Sequence, residues 1–175
     1  MRKLKNEELN RLSIEDYKKA KKLPVVLVLD NIRSLSNIGS IFRTADAFRI
    51  SKIFLCGITA TPPHREIHKT ALGATDSVDW KYLKTTEEAL LELKQKNYRI
   101  IALEQTDNSI LLNNFQLKKT EKLALVFGNE VRGVSDEIVE IADYCVEIPQ
   151  SGTKHSFNVA VSIGITLWDI YLKLK

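Results

Sequence analysis

The sequence predicts a single α/β domain in which a parallel sheet is covered by helices on both faces. Its 175 residues are enough for one full hydrophobic core. Short, almost continuously apolar runs alternate with segments of helical periodicity, which is typical of strands buried on both faces. With 44% apolar and 27% charged residues and no apolar run long enough to cross a membrane, the chain is expected in the cytoplasm.

The apolar runs and the helical segments can be assigned in chain order. Strands are predicted at 25–29, 52–55, 77–82, 99–103, 123–127 and 144–148. Helices are predicted at 38–48, 66–72, 87–96, 135–141 and 157–172, with Ser156 or Asn158 as the cap of the last one. Because parallel sheets bind ligands beyond the carboxyl ends of their strands, the polar loops after Leu29, Phe127 and Ile148 are expected to meet at one edge.

Residues 1–22 are predicted to form a basic helical extension of a domain at 23–175. They hold eight basic and four acidic residues, so the whole net charge of +4 lies in this extension. Ser13-Ile-Glu-Asp16 predicts a helix start, and Pro24 predicts the end of a helix that reaches Lys22. Arg11, Lys18 and Lys19 are candidate phosphate contacts. The alternative is a solvated amphipathic helix whose apolar residues pack on the domain: Leu4, Leu9, Leu12 and Tyr17.

The cysteines and histidines do not predict a metal site. Cys56 and Cys145 are far apart in apolar runs and are interpreted as buried thiols. His64 and His68 are four residues apart, but they lack the metalloprotease pattern and are interpreted as an exposed pair at a helix start. No metal is therefore expected.

Three polar segments contain the residues best suited to chemistry. They are Asn37-Ile-Gly-Ser-Ile-Phe-Arg43, Gly128-Asn-Glu-Val-Arg-Gly133 and the loop from Ile148 to Asn158. Glycines allow a ligand to approach the backbone, an arginine offers a planar fork for phosphate, and amides and hydroxyls orient neutral groups. Such a set is suited to positioning two substrates for a displacement rather than to hydrolysis with paired carboxylates.

The three segments, in this order and over residues 24–172, resemble the three motifs of the TrmH-type enzymes of the SPOUT class of RNA methyltransferases. Phe157 stands where leucine is usual in the family, and Gln150 stands where methionine is common. The resemblance implies a SPOUT fold with a deep trefoil knot near the C-terminus, whereas periodicity alone predicts an unknotted sheet. It also implies S-adenosylmethionine as the cofactor, RNA as the partner and a homodimer whose active sites are completed across the interface.

The resemblance implies a role for each motif residue. Arg43 is the first catalytic candidate, either activating the ribose hydroxyl or stabilising the oxyanion, and the alternative is an ion pair with Asp46. The other catalytic candidates are Asn37, Glu130, Ser156 and Asn158, against helix caps or a surface acid as alternatives. The candidate cofactor contacts are Leu103, Gly128, Asn129, Gly133, Ile148, Gln150, Ser156 and Phe157. Arg43, Arg132 and Lys154 are candidate RNA contacts, with solvated charge as the alternative for the last two.

The resulting hypothesis is 2′-O-methylation of a ribose in structured RNA. The shortness of the basic extension favours transfer RNA, with a D-loop guanosine as one candidate, over ribosomal RNA. A non-catalytic RNA-binding or ribosome-assembly module of the same fold is the alternative, together with a small-molecule-binding regulator.

Overall fold

The computed structural model describes residues 1–175, except for the side chain of Asn6. One sheet of seven parallel strands forms its centre, in the order β3-β2-β1-β6-β4-β7-β5. The strands are β1 Leu23–Asp30, β2 Ile50–Cys56, β3 Trp80–Leu83, β4 Tyr98–Leu103, β5 Ile110–Leu111, β6 Lys122–Phe127 and β7 Tyr144–Glu147. The helices are α1 Ile14–Lys19, α2 Leu35–Ala47, α3 Arg65–Ala71, α4 Ala74–Ser77, α5 Thr86–Gln95, α6 Asp136–Ile141 and α7 Val159–Leu174.

The sheet is buried on both faces because its central strands alternate between two apolar clusters. Leu27 and Leu29 of β1 belong to the cluster that also holds the buried side chains of α2, α3 and α7. Val26 and Val28 face the other cluster, which is covered by α5 and α6. Side chains alternate along a strand, so an uninterrupted apolar run supplies both cores at once. The predicted parallel sheet with helices on both faces is confirmed.

Several predicted boundaries differ from the observed ones. Helix α1 ends at Lys19 rather than at Lys22. Helix α2 begins at Leu35, three residues before its predicted start, because the Ser34 hydroxyl accepts a hydrogen bond from the Asn37 N–H group. Ser77 ends the short helix α4 and is not in a strand, so β3 begins only at Trp80.

The extension makes only part of its predicted contacts with the domain. Tyr17 is buried in the larger apolar cluster. Leu4, Leu9 and Leu12 are exposed, so the interpretation in which all four residues pack on the domain is wrong for these three. Tyr17 is therefore the apolar anchor of α1.

The cysteines and histidines agree only in part with their interpretation from the sequence. Cys56 is buried, as predicted. Cys145 is only partly buried, so the prediction of a buried thiol is wrong for this residue. His64 is exposed and caps α3, its Nδ1 accepting the Glu66 N–H group at 3.2 Å. Among the described residues, no three His, Cys, Asp or Glu side chains are grouped closely enough to hold a metal ion. Nor does any described helix have the length and apolar character that crossing a membrane requires.

Candidate functional site

The three polar segments meet at one edge of the sheet because the strands that precede them are neighbours. β1 pairs with β6, β6 with β4, and β4 with β7, all in parallel register. Parallel strands present their carboxyl ends on the same side, so the loops that follow β1, β6 and β7 converge there. The predicted gathering of these loops is confirmed.

Glu130 joins the second segment to the start of α2. Its carboxylate accepts hydrogen bonds from the backbone N–H groups of Arg33 and Ser34, each at 3.0 Å, and from the Asn37 amide at 3.1 Å. Partial burial raises the pKa of Glu130, but these hydrogen bonds outweigh burial and hold the pKa below its ordinary value. The carboxylate is thus a structural acceptor that fixes the turn before α2.

Asn158 connects the third segment to the same turn. Its Nδ2 donates to Asn37 Oδ1 at 3.1 Å, while its Oδ1 accepts the Ala160 N–H group and caps α7. Asn37 lies within α2 and is not its cap, so the capping alternative for Asn37 is wrong. A continuous chain of side-chain hydrogen bonds runs from Glu130 through Asn37 to Asn158.

Two glycines hold the second segment in a tight loop. Asn129 and Gly133 exchange backbone hydrogen bonds at 2.9 Å, and Gly133 has a φ of 71°, which disfavours any residue with a Cβ atom. A Cβ atom on Gly128 would lie 2.0 Å from the Gly133 carbonyl carbon. Backbone contact at this distance leaves no room for a side chain, so both glycines are required by the loop itself.

Glu104, at the end of β4, is a site residue that the sequence analysis missed. Its carboxylate accepts the Val134 N–H group at 2.8 Å and the Gln105 N–H group at 2.9 Å. Gln105 in turn donates to the His155 carbonyl at 2.8 Å, which ties the third segment to β4. The only signal in the sequence was the position of Glu104 directly after a buried strand.

A cavity of about 540 Å³ lies between these loops, within the range of roughly 300–1,000 Å³ that is typical of small-molecule sites. Leu103, Ile148 and Phe157 give it apolar walls, and residues of the second and third segments border it. All eight predicted cofactor contacts line this cavity: Leu103, Gly128, Asn129, Gly133, Ile148, Gln150, Ser156 and Phe157. We call it the carboxyl-edge cavity.

Arg43 does not line the carboxyl-edge cavity. It is exposed on α2 and lines a second cavity, between residues 10–17 and the domain, that shares no residue with the carboxyl-edge cavity. Arg43 is six positions after Asn37 on α2, which amounts to about 9 Å of rise and roughly 240° of rotation. Among the described side chains, no hydrogen bond joins Arg43 to Glu130, Ser156 or Asn158, and no ion pair joins it to Asp46.

The other candidate RNA contacts are distributed over both regions. Arg132 lines the carboxyl-edge cavity, and Lys154 is exposed on the third segment. Arg11 lines the second cavity together with Arg43. Lys18 and Lys19 are exposed on α1, where Lys19 Nζ lies 2.6 Å from the Glu15 carboxylate.

Known proteins match this chain over most of its length. The profile of the SpoU rRNA Methylase family matches residues 24–168. The tRNA (guanosine(18)-2′-O)-methyltransferase of Aquifex aeolicus is 33% identical over 149 residues, which are 83% of this chain and 67% of that enzyme. The 23S rRNA (guanosine-2′-O-)-methyltransferase RlmB of Nitrosomonas europaea is 33% identical over 147 residues, 84% of this chain and 55% of that enzyme.

A solved structure agrees with these sequence matches. The AdoMet-bound rRNA methyltransferase from Sinorhizobium meliloti superposes with a TM-score of 0.81 at 26% identity. The superposition covers 91% of this chain and 60% of that one. The chain thus spans between about half and two thirds of the length of these three relatives.

Proposed function

Because the chain belongs to the SpoU rRNA methylase family, we propose that it transfers a methyl group from S-adenosylmethionine to a ribose 2′-hydroxyl of structured RNA. The observation that supports this best is the hydrogen-bonded chain from Glu130 through Asn37 to Asn158 beside the carboxyl-edge cavity. It links the three polar segments into one rigid unit, as a reaction between two positioned substrates requires. When bound, the cofactor would supply a methyl group activated by a sulfonium. The ribose 2′-oxygen would take this methyl group as the S–C bond breaks, and the hydroxyl proton would pass to water.

The residues of the carboxyl-edge cavity fit this cofactor. Leu103, Ile148 and Phe157 offer apolar surface for a purine ring, and Phe157 is 40% exposed, so its face is accessible. The close approach of Gly128 to Gly133 removes side chains from the cavity wall and leaves backbone groups to meet polar atoms. Asn129, Gln150 and Ser156 add polar side chains around the rim.

In this proposal Arg43 is the catalytic residue that contacts the RNA. Its guanidinium is exposed and makes no ion pair among the described side chains, so all its N–H groups are available to a phosphate or a developing oxyanion. An arginine side chain keeps its charge at neutral pH, so oxyanion stabilisation suits it better than proton removal. Asn37, Glu130, Ser156 and Asn158 are proposed to position the loops and the ribose.

We propose a homodimer in which Arg43 of one protomer serves the carboxyl-edge cavity of its partner. The separation of the two regions within one chain supports this arrangement. Helix α7 also exposes apolar surface, since Val161, Trp168 and Leu172 are 49%, 55% and 54% exposed. The stripe Val159, Ile163, Leu167 and Ile170 is buried within the chain and serves its own core.

Two further features are proposals for this chain, the first from the resemblance to the family and the second from the basic charge of residues 1–22. We infer that the third segment and α7 form the deep trefoil knot and that residues 1–22 are an RNA-binding extension of a domain at 23–175. An experimental structure with bound RNA would test both.

Transfer RNA is the proposed substrate, with the tRNA-acting relative from Aquifex aeolicus as support. Ribosomal RNA is the alternative, because the Nitrosomonas europaea relative is named for 23S rRNA and is equally identical. The two hypotheses predict different methylated products from the same enzyme preparation.

The test is methyl transfer from tritiated S-adenosylmethionine to unmodified tRNA transcripts and to fragments of 23S rRNA. The expected result is label in 2′-O-methylnucleosides after complete digestion of tRNA. Label in rRNA alone would replace the substrate, and label on a base would contradict ribose methylation. Binding of RNA without any transfer would favour the non-catalytic module instead.

A further inference from the structure

The second cavity, of about 610 Å³, is formed where residues 10–17 lie against the domain. Its other wall is the C-terminal part of α2 together with α4 and the turn before it. The Arg49 carbonyl accepts the Leu23 N–H group at the start of β1, so the cavity extends toward the amino ends of the strands. We call it the amino-edge cavity. It is separate from the site of the methyl donor.

Three arginines line this cavity, and their charges are not neutralised within the chain. Arg11, Arg43 and Arg49 make no side-chain ion pair among the described residues. The one carboxylate among the lining residues is Asp46, which accepts the Ser77 hydroxyl at 2.5 Å. Three guanidinium groups against one carboxylate make the cavity electropositive and leave many N–H donors available to an anion.

Tyr17 supplies a second, independent sign of a ligand. The residue is only 5% exposed and lines the cavity, yet its hydroxyl is buried with no hydrogen-bond partner among the described residues. Burial raises the pKa of Tyr17, and the nearby Asp46 carboxylate raises it further, so the hydroxyl keeps its proton. A buried donor without a partner costs stability unless a ligand accepts from it.

We propose that the amino-edge cavity binds a backbone phosphodiester of the RNA, with Arg49 and Tyr17 as contacts beside Arg11 and Arg43. Guanidinium groups form paired hydrogen bonds with phosphate oxygens, and the Tyr17 hydroxyl donates to an oxygen of the same nucleotide. The phosphate held there fixes the RNA strand against Arg43. This assignment rests on the proposed function only in taking RNA as the substrate.

The test measures RNA binding as a function of salt, separately from methyl transfer. The probes are a fluorescein-labelled unmodified tRNA transcript and a single-stranded oligouridylate, followed by fluorescence anisotropy. Arg49→Ala is expected to weaken binding about 5- to 30-fold, the range that one or two kcal/mol represents. The slope of log affinity against log salt should become shallower by about 0.7–0.9, the value for one lost phosphate contact. The matched control is Arg65→Ala, an exposed arginine on α3 outside this cavity, which should leave the slope unchanged.

Tyr17→Phe separates a ligand contact from a packing role. Removing the buried hydroxyl should leave the thermal stability equal or higher, because an unpartnered polar group is lost. RNA affinity should fall about 2- to 10-fold with an unchanged salt slope, as for one neutral hydrogen bond. Unchanged affinity in this variant would show that Tyr17 only packs, and would overturn its assignment.

The outcomes distinguish this proposal from the proposed function. If the protein methylates RNA but Arg49→Ala keeps its affinity and slope, the amino-edge cavity is not a phosphate site. If Arg49→Ala changes both as expected while no ribose is methylated, the cavity stands and the methylation proposal fails. If Arg49→Ala also loses affinity for a polyglutamate peptide to the same extent, the cavity binds acidic chains in general, and the assignment to RNA is overturned. The assignment is likewise overturned if the wild-type protein binds neither RNA probe.

Discussion

The carboxyl-edge and amino-edge cavities differ in how their polar groups are satisfied. Around the first, Glu130, Asn37, Asn158 and Glu104 are joined to one another or to backbone N–H groups. Around the second, three guanidinium groups and the Tyr17 hydroxyl have no partner among the described residues. A region with satisfied hydrogen bonds is preorganised. The guanidinium groups of the exposed Arg11, Arg43 and Arg49 are solvated and free to bind, whereas the buried Tyr17 hydroxyl costs stability until a ligand accepts from it. The comparison is consistent with the proposal of a preorganised donor site at the carboxyl edge and an RNA site at the amino edge.

The largest effect is expected from Arg43→Ala, on the amino-edge side. Loss of one oxyanion-stabilising group should lower kcat for methyl transfer by about 10²–10³-fold or more. Binding of S-adenosylmethionine, measured by calorimetry, should be unchanged because Arg43 does not line the carboxyl-edge cavity. Turnover close to that of the wild type would refute the role of Arg43, and Arg65→Ala serves as the control.

Gly128→Ala should distort the tight loop that borders the carboxyl-edge cavity. The added Cβ atom would lie 2.0 Å from the Gly133 carbonyl carbon, so the loop must move. We therefore expect the unfolding free energy to fall by about 1–3 kcal/mol and donor binding to weaken. Gly152→Ala is the matched control, since nothing lies within 4 Å of its Cβ position. Chemical denaturation and calorimetry measure the two effects. Equal behaviour of the two variants would show that the tight loop is not needed.

Glu130→Gln should make the stability depend less on pH. The pKa of Glu130 is below its ordinary value of 4.5, so its stabilising hydrogen bonds are present above that value and are lost as the pH falls through the lower, folded-state pKa. The variant should be less stable than the wild type by at most about 0.5–1 kcal/mol near neutral pH, because solvent screens the exposed carboxylate, and the difference should shrink at acid pH. Denaturation across this pH range tests it, and a constant difference would contradict the role assigned to the carboxylate.

The smallest effect should come from the bond between Asn37 and Asn158. A double-mutant cycle with alanine at both positions should give a coupling of about 0.5 kcal/mol in stability, because their amides meet at 3.1 Å. The same cycle measured on kcat should show non-additivity if the bond orders the active-site loop. Fully additive effects on both would mean that the two residues act independently.

Much of the fold could be predicted from the sequence because short, almost continuously apolar runs that alternate with helical segments are typical of strands buried on both faces of a sheet. The position of the three polar loops followed from the parallel order of those strands. Helix α4 and strand β5, with four and two residues, are too short to show any periodicity and were missed. The start of β3 was wrong because Ser77 hydrogen-bonds within α4 and with Asp46, contacts that a local pattern does not reveal.

The candidate site was predictable in its residues but not in its arrangement. Residues of the second and third segments lie together because each segment follows a neighbouring strand. Glu104 lacked any motif, and its importance comes from backbone groups 30 residues away. The separation of Arg43 from the carboxyl-edge cavity depends on how α2 packs in the fold. The six-residue spacing fixes the directions of Asn37 and Arg43 relative to each other, but not which of the two faces the cavity.

The measurement that tests most directly whether the two cavities serve one reaction is a mixture of two inactive variants. Arg43→Ala lacks the arginine that is proposed to be catalytic, and Ser156→Trp should fill the carboxyl-edge cavity and bind no donor. After subunit exchange of an equimolar mixture, half of the dimers are mixed, and a site shared between protomers leaves one intact site in each. Recovery of about one quarter of the wild-type methyl-transfer activity is therefore expected. No recovered activity from a mixture that demonstrably contains mixed dimers would contradict it.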